Sequence, residues 1–501
     1  MHPAPAGAEV SLRDILPKAR FLAHSDVRAA SCSADWQACR PGDIYFALTT
    51  ADDDGHEHAP AAIERGAVAV VAERMLPVET PQVLVRDTRA AFARVCQALA
   101  GHPSRELTTI GVTGSSGKTV TSILLASVLE AAGLSAGVLS SIGHSDSVVQ
   151  RVAPSGTPTA AEFAAWLRRM KSAGSQSAVL ELSSRALAER RTSGLALDAA
   201  VLTNIQTEHL DEHNSPRAYA QIKRRIFRHL KPGGVAVVCA DDHRCRNLLP
   251  LLGGAALTYA LHAEADITGQ VLERSLCEQT FMITAGGDSA PVRTRMIGDH
   301  HVANCLAATA VGLSLGLELQ DIVRGLEAVE RVPGRMERLE CGQPFGVFVD
   351  AAATPETLSR SIATLRQVTP GRVLVVFGPR ESADGARRAM LGRVLERGCH
   401  LPILTSGEPG QTAPLAGIHE LLDGFERPHK AQNLPDRASA IRFALSQAQA
   451  GDAVLIAGRG ERGSELKGRQ KLTHDDREIA CAWLYEPQPP ENCRPRFRVV
   501  G

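Results

Sequence analysis

The chain reads as an α/β protein of three domains, each built on a mostly parallel sheet covered by helices. Three observations predict this. Short apolar runs of strand length alternate with helical patterns almost throughout. Two breaks, "GHPSREL" at 101–107 and "RVPGRME" at 331–337, divide those runs into three series. At 501 residues the chain is also too long for one core, and domains of roughly 150 residues give about three. The expected domains are 1–106, 107–332 and 333–501.

In the first series the strands are "DIYFAL", "AVAVVAE" and "PQVLVRD". "GHPSREL" then reads as a linker. The second series, "TTIGVT", "SAVLEL", "DAAVLTN" and "GVAVVCA", consists of buried-type strands, and so does the third, "FGVFVD", "GRVLVVFG", "LPILTS" and "DAVLIAG". No internal repeat or low-complexity stretch interrupts them. The Pro-rich tail "EPQPPENCRPRFRVVG" reads as loosely held.

Composition excludes several classes. Apolar content of 44% and charged content of 22% are ordinary for a soluble globular protein. A formal net charge of zero gives no diffuse grip on nucleic acid or anionic lipid, so any anion must be held by local geometry. Eleven cysteines lack any CxxC pair and read as reduced core residues. The N-terminus "MHPAPAGAEV" has no apolar signal core, and no run approaches the ~18 residues that span a membrane. The expectation is a cytoplasmic protein, not embedded in a membrane.

In open parallel sheets, chemistry gathers beyond the carboxyl ends of the strands. After "TTIGVT" comes "GSSGKT" and an amphipathic helix. Gly114 and Gly117 permit a tight turn, and with Ser115 and Ser116 they aim backbone N–H groups at phosphate oxygens. Lys118 opens the helix, whose N-terminus favours an anion, and Thr119 is a Mg²⁺ ligand by type. The longer P-loop pattern wants a glycine where Val112 stands, so this is the shorter TGxxGKT form. Val120, Ile123, Leu124, Val128 and Leu129 form the buried face, and Gly133 the C-cap. The pattern predicts binding of a nucleoside triphosphate.

Glu181 lies near the carboxyl end of "SAVLELSS", where an uncompensated carboxylate is costly; a salt bridge and a metal both fit. After "DAAVLTN", residues His209, Asp211 and His213 form an HxDxH cluster. Ser215 as N-cap and Pro216 at the first position then start a helix. Tyr219, Ile222, Ile226, Phe227 and Leu230 make its apolar stripe, and Lys223 falls in the middle. The ammonium either snorkels to water or serves chemistry. Carbamylation by CO₂ would turn it into an anion able to approach Mg²⁺.

The chain resembles the Mur ligase family, in its MurE branch. The resemblance covers nearly the whole chain: "PGDIYFAL", "DGHEH", "TGSSGKT", "LELSSRAL", "TNIQTEHLDEH", "YAQIK", "HHVANCLAA", "VPGRME", "VDAAATPE" and "DDREIA". It implies a UDP-binding N-terminal domain, a central ATPase domain and a C-terminal Rossmann-like domain. It also implies a reaction in which Mg-ATP phosphorylates the D-glutamyl carboxylate of UDP-MurNAc-L-Ala-D-Glu, and an amino acid's amine displaces the phosphate. By resemblance Lys118 holds phosphates, Thr119 and Glu181 one magnesium, and Glu181, His209 and carbamylated Lys223 a second. Asn304 matches the adenine contact, while Arg335 and Asp350 match nucleotide contacts. Thr157, Ser183 and Arg191 match positions that hold the muramyl dipeptide. The family expectation is a monomer.

The sequence departs from the pattern at several places. Asp-Ser-Arg before "PGD" is Asp35-Trp36-Gln37, with Trp36 open to base stacking or plain packing. "SSH" is Ser183-Ser184-Arg185, and DYAHTP is Asp350-Ala351-Ala352-Ala353-Thr354-Pro355. The acceptor-selecting DNPR is Gly407-Glu408-Pro409-Gly410, so the arginine fork that would pair with diaminopimelate is gone. GKGHE is Gly458-Arg459-Gly460-Glu461-Arg462. Diaminopimelate specificity therefore does not carry over. Two further readings stand beside the ligase: a paralogue that binds nucleotide or precursor without ligating, and a folylpolyglutamate synthase-like ligase, which "DGHEH" speaks against.

Overall fold

A computed structural model describes residues 9–22, 25–50, 52–154, 156–206, 215–252, 255–380, 385–407, 414–461, 464–467 and 470–485. The three expected N-terminal strands form as Ile44–Phe46, Ala69–Ala72 and Gln82–Leu84, parallel and adjacent. Two further strands complete that sheet. Arg20–Leu22 is antiparallel at one edge, and Cys32–Ser33 is parallel at the other. Residues 101–107 are not a bare linker. Pro103 starts a helical turn, Pro103–Glu106, and the buried Ser104 hydroxyl accepts the Ala196 N–H at 3.2 Å.

In the next sheet Thr108–Thr113 lies between Ser177–Glu181 and Leu197–Leu202, parallel to both. Ala136–Leu139, a strand the sequence reading did not single out, lies beyond Ser177–Glu181, and Leu230–Cys239 and Ala256–Ala260 beyond Leu197–Leu202. From the central strand the chain builds first to one side and then to the other. That reversal is a topological switch point, and it opens a crevice at the carboxyl ends. Helix Lys118–Ala131 packs beneath it, with Val120, Leu124, Leu125, Val128 and Leu129 buried and Ile123 only partly so. Gly133, at φ 79°, ends it as expected, and the Leu134 N–H reaches back to the Leu129 carbonyl at 2.9 Å. Phe163, Leu167, Met170, Leu180, Leu182 and Ile226 share one core.

All four strands of the third series form, and the sheet order is Glu337–Arg338, Gly346–Asp350, Ala453–Ala457, Val373–Phe377, Leu401–Leu404, Gln432–Asn433. Only the first pair is antiparallel. Alternate residues fill two cores. Phe348, Val375, Phe377 and Leu455 face one side, and Val347, Val349, Val376 and Ile456 the other. One compact unit comprises the chain to Gly269 with Ile283–Ala290 and Ala303–Ala328; the second comprises Gln270–Met282, Pro291–Val302 and Val329 onward. Among the described residues no helix is long and apolar enough to cross a membrane. The Pro-rich tail lies outside the described residues beyond Tyr485.

Candidate active site

Beyond Thr113 the backbone turns through Gly114 and Gly117 into the helix that starts at Lys118. Both glycines are required by close approach. A Cβ on Gly114 would lie 1.8 Å from Thr203 Oγ1, and one on Gly117, at φ 85°, would lie 2.5 Å from Asn304 Oδ1. The loop is tied to the end of the next strand. Ser115 N–H donates to the Asn204 carbonyl at 3.0 Å, and Ser116 N–H to Asn204 Oδ1 at 3.0 Å. The Ser116 carbonyl accepts from Thr203 Oγ1 at 2.6 Å and from Asn204 Nδ2 at 3.1 Å. Sequence reading gave Thr203 and Asn204 no role. Their signal was positional, since both follow a strand's carboxyl end at the switch point.

Two ammonium groups converge on this loop. Lys118 Nζ donates to the Gly114 and Ser115 carbonyls, each at 3.0 Å, and Lys223 Nζ to the Gly114 carbonyl at 2.8 Å. Lys223 lies on helix Pro216–Arg224, which begins as expected: Ser215 Oγ accepts the Ala218 N–H and Pro216 follows. Its side chain does not snorkel. The residue is 1% exposed, with Nζ 4.6 Å above the Tyr219 ring. The Tyr219 hydroxyl accepts from Ser115 Oγ at 3.2 Å, so the lysine helix touches the loop twice.

Glu181 stands across from the helix start. Its Oε2 accepts from Thr119 Oγ1 at 3.0 Å and from Ser141 N–H at 2.9 Å, and the two hydroxyls of Thr119 and Ser141 are 3.0 Å apart. Among the described residues Glu181 enters no ion pair. A carboxylate with two hydroxyls in an all-oxygen group suits Mg²⁺ by chemistry, and Ser141 is a member that sequence reading missed. Asn304 is buried on helix Asp299–Ser314 and accepts from Thr121 Oγ1 at 3.3 Å. His209, Asp211 and His213 lie outside the described residues.

Thr157, Ser183 and Arg191 also come together. The Thr157 and Ser183 hydroxyls are 3.2 Å apart, and Arg191 Nη1 donates to the Thr157 and Pro158 carbonyls at 2.6 and 3.1 Å. Glu189, unremarked in the sequence, organises the cluster by accepting from Arg191 Nε at 2.7 Å and Arg185 Nε at 2.9 Å. Burial alone would raise its pKa, but the two arginines hold it below the usual range. In the second unit Arg335 pairs with Glu461, and buried Asp350 accepts from Ser361 Oγ. Burial raises the Asp350 carboxyl. The Trp36 ring stacks on His58, with centroids 5.5 Å apart.

A glycine turn feeding Lys-Thr into a helix, at the switch point of a parallel sheet, makes this a nucleotide-binding protein of P-loop type. Comparison narrows the class. Residues 112–312 match the Mur ligase middle domain and residues 334–460 the Mur ligase, glutamate ligase domain. The chain is 37% identical over 466 residues to a UDP-N-acetylmuramyl-tripeptide synthetase of Roseiflexus sp. (strain RS-1), covering 88% of this chain and 92% of that one. It is 33% identical over 452 residues to a UDP-N-acetylmuramoyl-L-alanyl-D-glutamate--2,6-diaminopimelate ligase of Geobacillus kaustophilus (strain HTA426), covering 89% and 92%. A solved structure of a UDP-N-acetylmuramoyl-L-alanyl-D-glutamate--2,6-diaminopimelate ligase superposes with TM-score 0.69 at 27% identity, covering 95% of this chain and 99% of that one. The chain belongs to the Mur ligase family, whose members are ATP-dependent, ADP-forming ligases.

Proposed function

We propose that this protein joins an amino acid to the D-glutamyl carboxylate of UDP-MurNAc-L-Ala-D-Glu, with ATP consumed and an acyl phosphate as intermediate. The observation that carries the reading is the meeting of Lys118 and Lys223 on the Gly114 carbonyl, with Thr119, next to Lys118, bonded to Glu181. A triphosphate and a carboxylate repel each other, and bound Mg²⁺ would supply the positive charge that lets them meet. Thr119 and Glu181 would hold one such ion, and Glu181, His209 and carbamylated Lys223 a second. The turn of Gly114, Ser115, Ser116 and Gly117, with Lys118, would hold the phosphates. Asn304 would face adenine, and Arg335 and Asp350 the rest of the nucleotide. Thr157, Ser183 and Arg191 would orient the dipeptide.

The proposed domain limits are 1–106, 107–332 and 333–501, and the working form is a cytoplasmic monomer. Diaminopimelate specificity does not carry over, because Gly410 supplies no arginine fork, and the amine is left to the screen. The test is phosphate release from ATP in the presence of UDP-MurNAc-L-Ala-D-Glu, screened against diaminopimelate, lysine and other amines. Release that requires the dipeptide precursor and prefers one amine supports the reading. Binding without turnover returns the chain to the non-ligating paralogue, and turnover with a folate in place of the precursor to the folylpolyglutamate type.

A further inference from the structure

Two thiols in the second unit stand apart from the nucleotide chemistry. Cys341 lies on the turn between Glu337–Arg338 and Gly346–Asp350, the antiparallel pair that opens the C-terminal sheet. Cys481 lies on Asp476–Tyr485, the last described helix. Their Sγ atoms are 3.7 Å apart although 140 residues separate them in sequence. Both are free and neither is fully buried. The placement is held from both sides. Leu339, two residues before Cys341, and Ala480, one before Cys481, share a core with Val347, Val349 and Ile456. On the Cys341 side, Gln343 Oε1 accepts the Cys341 N–H at 2.8 Å, fixing the turn.

The helix is anchored to the sheet by charge as well. Asp476 is fully buried and receives Nε and Nη2 of buried Arg437, each at 2.8 Å. Arg437 also donates to the Ala457 carbonyl at 2.9 Å. The strand Ala453–Ala457, the helix and the opening turn therefore form one packed group.

We propose that Cys341 and Cys481 are a redox-modifiable pair that closes into a disulfide under peroxide, clasping the start of the C-terminal sheet to its last helix. The chemistry balances. One thiolate attacks a peroxide oxygen, the O–O bond breaks, and the sulfur becomes a sulfenic acid as the first water leaves. The second thiol attacks that sulfur, the S–O bond breaks and the second water leaves. Two thiols lose two electrons, and one peroxide becomes two waters. Burial and the neighbouring Cys341 thiol push Cys481 up to about 11. A second near pair, Cys32 and Cys96 at 3.9 Å, serves as an internal control, because Cys96 is buried and its contact, together with burial, holds Cys32 as a thiol.

The test treats the full-length protein with a small excess of hydrogen peroxide, followed by non-reducing peptide mapping and thermal unfolding. The expected result is a 341–481 cross-link and an apparent Tm for the second unit raised by roughly 5–10 °C, since the bond closes a very long loop. Dithiothreitol should reverse both effects. Cys341→Ser should abolish both, while Cys32→Ser leaves both intact. Should Cys341→Ser fail to fold, Cys481→Ser in its place must give the same loss. Sulfenic or sulfinic products on either residue without the cross-link, or preferential linkage of Cys32 to Cys96, would overturn the proposal. So would a cross-link that leaves Tm unchanged.

Discussion

Replacing Lys223 with methionine separates a structural lysine from a chemical one. The ammonium donates to the Gly114 carbonyl at 2.8 Å and lies over the Tyr219 ring in a residue 1% exposed. Losing a hydrogen bond to a charged group costs about 1.5–3 kcal/mol, and losing a desolvated cation–π contact up to about 2. Against this, burying an ammonium costs several kcal/mol, which methionine of similar length does not incur. The two sides nearly cancel, so Lys223→Met should change stability by no more than about 2 kcal/mol. Phosphate release should fall by about 10³-fold, or about 4 kcal/mol of transition-state stabilisation, if a carbamate there holds a cation. Thermal unfolding and phosphate release measured side by side reveal the divergence. Lys223→Ala should regain part of its turnover with formate or acetate, and ¹³C-bicarbonate should give a carbamate NMR signal in the parent protein that Lys223→Met lacks. Parent-level turnover in Lys223→Met would refute the reasoning.

Glu181→Gln keeps the side-chain volume but removes the charge facing Thr119 and Ser141. Turnover should fall at least ~100-fold and recover partly at high Mg²⁺, as a metal titration of phosphate release would show. Gly117→Ala brings a Cβ to 2.5 Å from Asn304 Oδ1 at a φ of 85°. Affinity for a fluorescent ATP analogue should drop about tenfold or more, and unchanged affinity would contradict the close approach. Acid should destabilise the protein through His229, which burial, with nearby Arg190, Arg228 and Arg94, holds at about 4. Because the folded value lies below the unfolded ~6.5, the unfolded state binds the extra proton. The neutral ring's contribution is therefore complete above ~6.5 and disappears as pH falls toward 4, a loss of about 3 kcal/mol. Denaturation midpoints at pH 7.5 and 5 should differ less in His229→Gln than in the parent.

The sheets were legible because buried parallel strands announce themselves as apolar runs. All eleven expected strands form; the unexpected ones include two-residue pieces such as Cys32–Ser33 and Gln432–Asn433, and also Ile267–Arg274, Gln279–Ala285 and Asp288–Thr294, whose polar and half-exposed sequences make no apolar run. Ala136–Leu139 escaped because "AGVL" is short and half of it is small residues. The phosphate loop was legible because glycine, lysine and threonine each have a separate physical reason to stand where they do. Lys223 was legible as a misfit, a cation at the centre of an apolar stripe. The roles of Asn204, Ser141 and Glu189 were not, since each acts through partners 40 to 88 residues away or through an arginine whose direction no periodicity encodes.

The departures from the family pattern carry a further argument. A motif that is decaying should leave charges stranded, because a half-buried ion without a partner costs more than the pair it replaced contributed. Two departures run the other way. Arg185, where the resemblance expects histidine, gives its Nε to Glu189, which also receives Arg191. Glu461, where the resemblance again expects histidine, is bound by Arg335. Arg335 and Glu461 are 21% and 18% exposed, so neither is a solvated surface charge. Each new charge has a partner: Arg185 has Glu189, which also holds Arg191 beside the proposed dipeptide contacts, and Glu461 has Arg335 in the C-terminal unit. Such substitutions re-aim arginines and leave the loop around Gly114 untouched. That is the pattern expected when acceptor recognition has shifted while phosphoryl transfer has been kept.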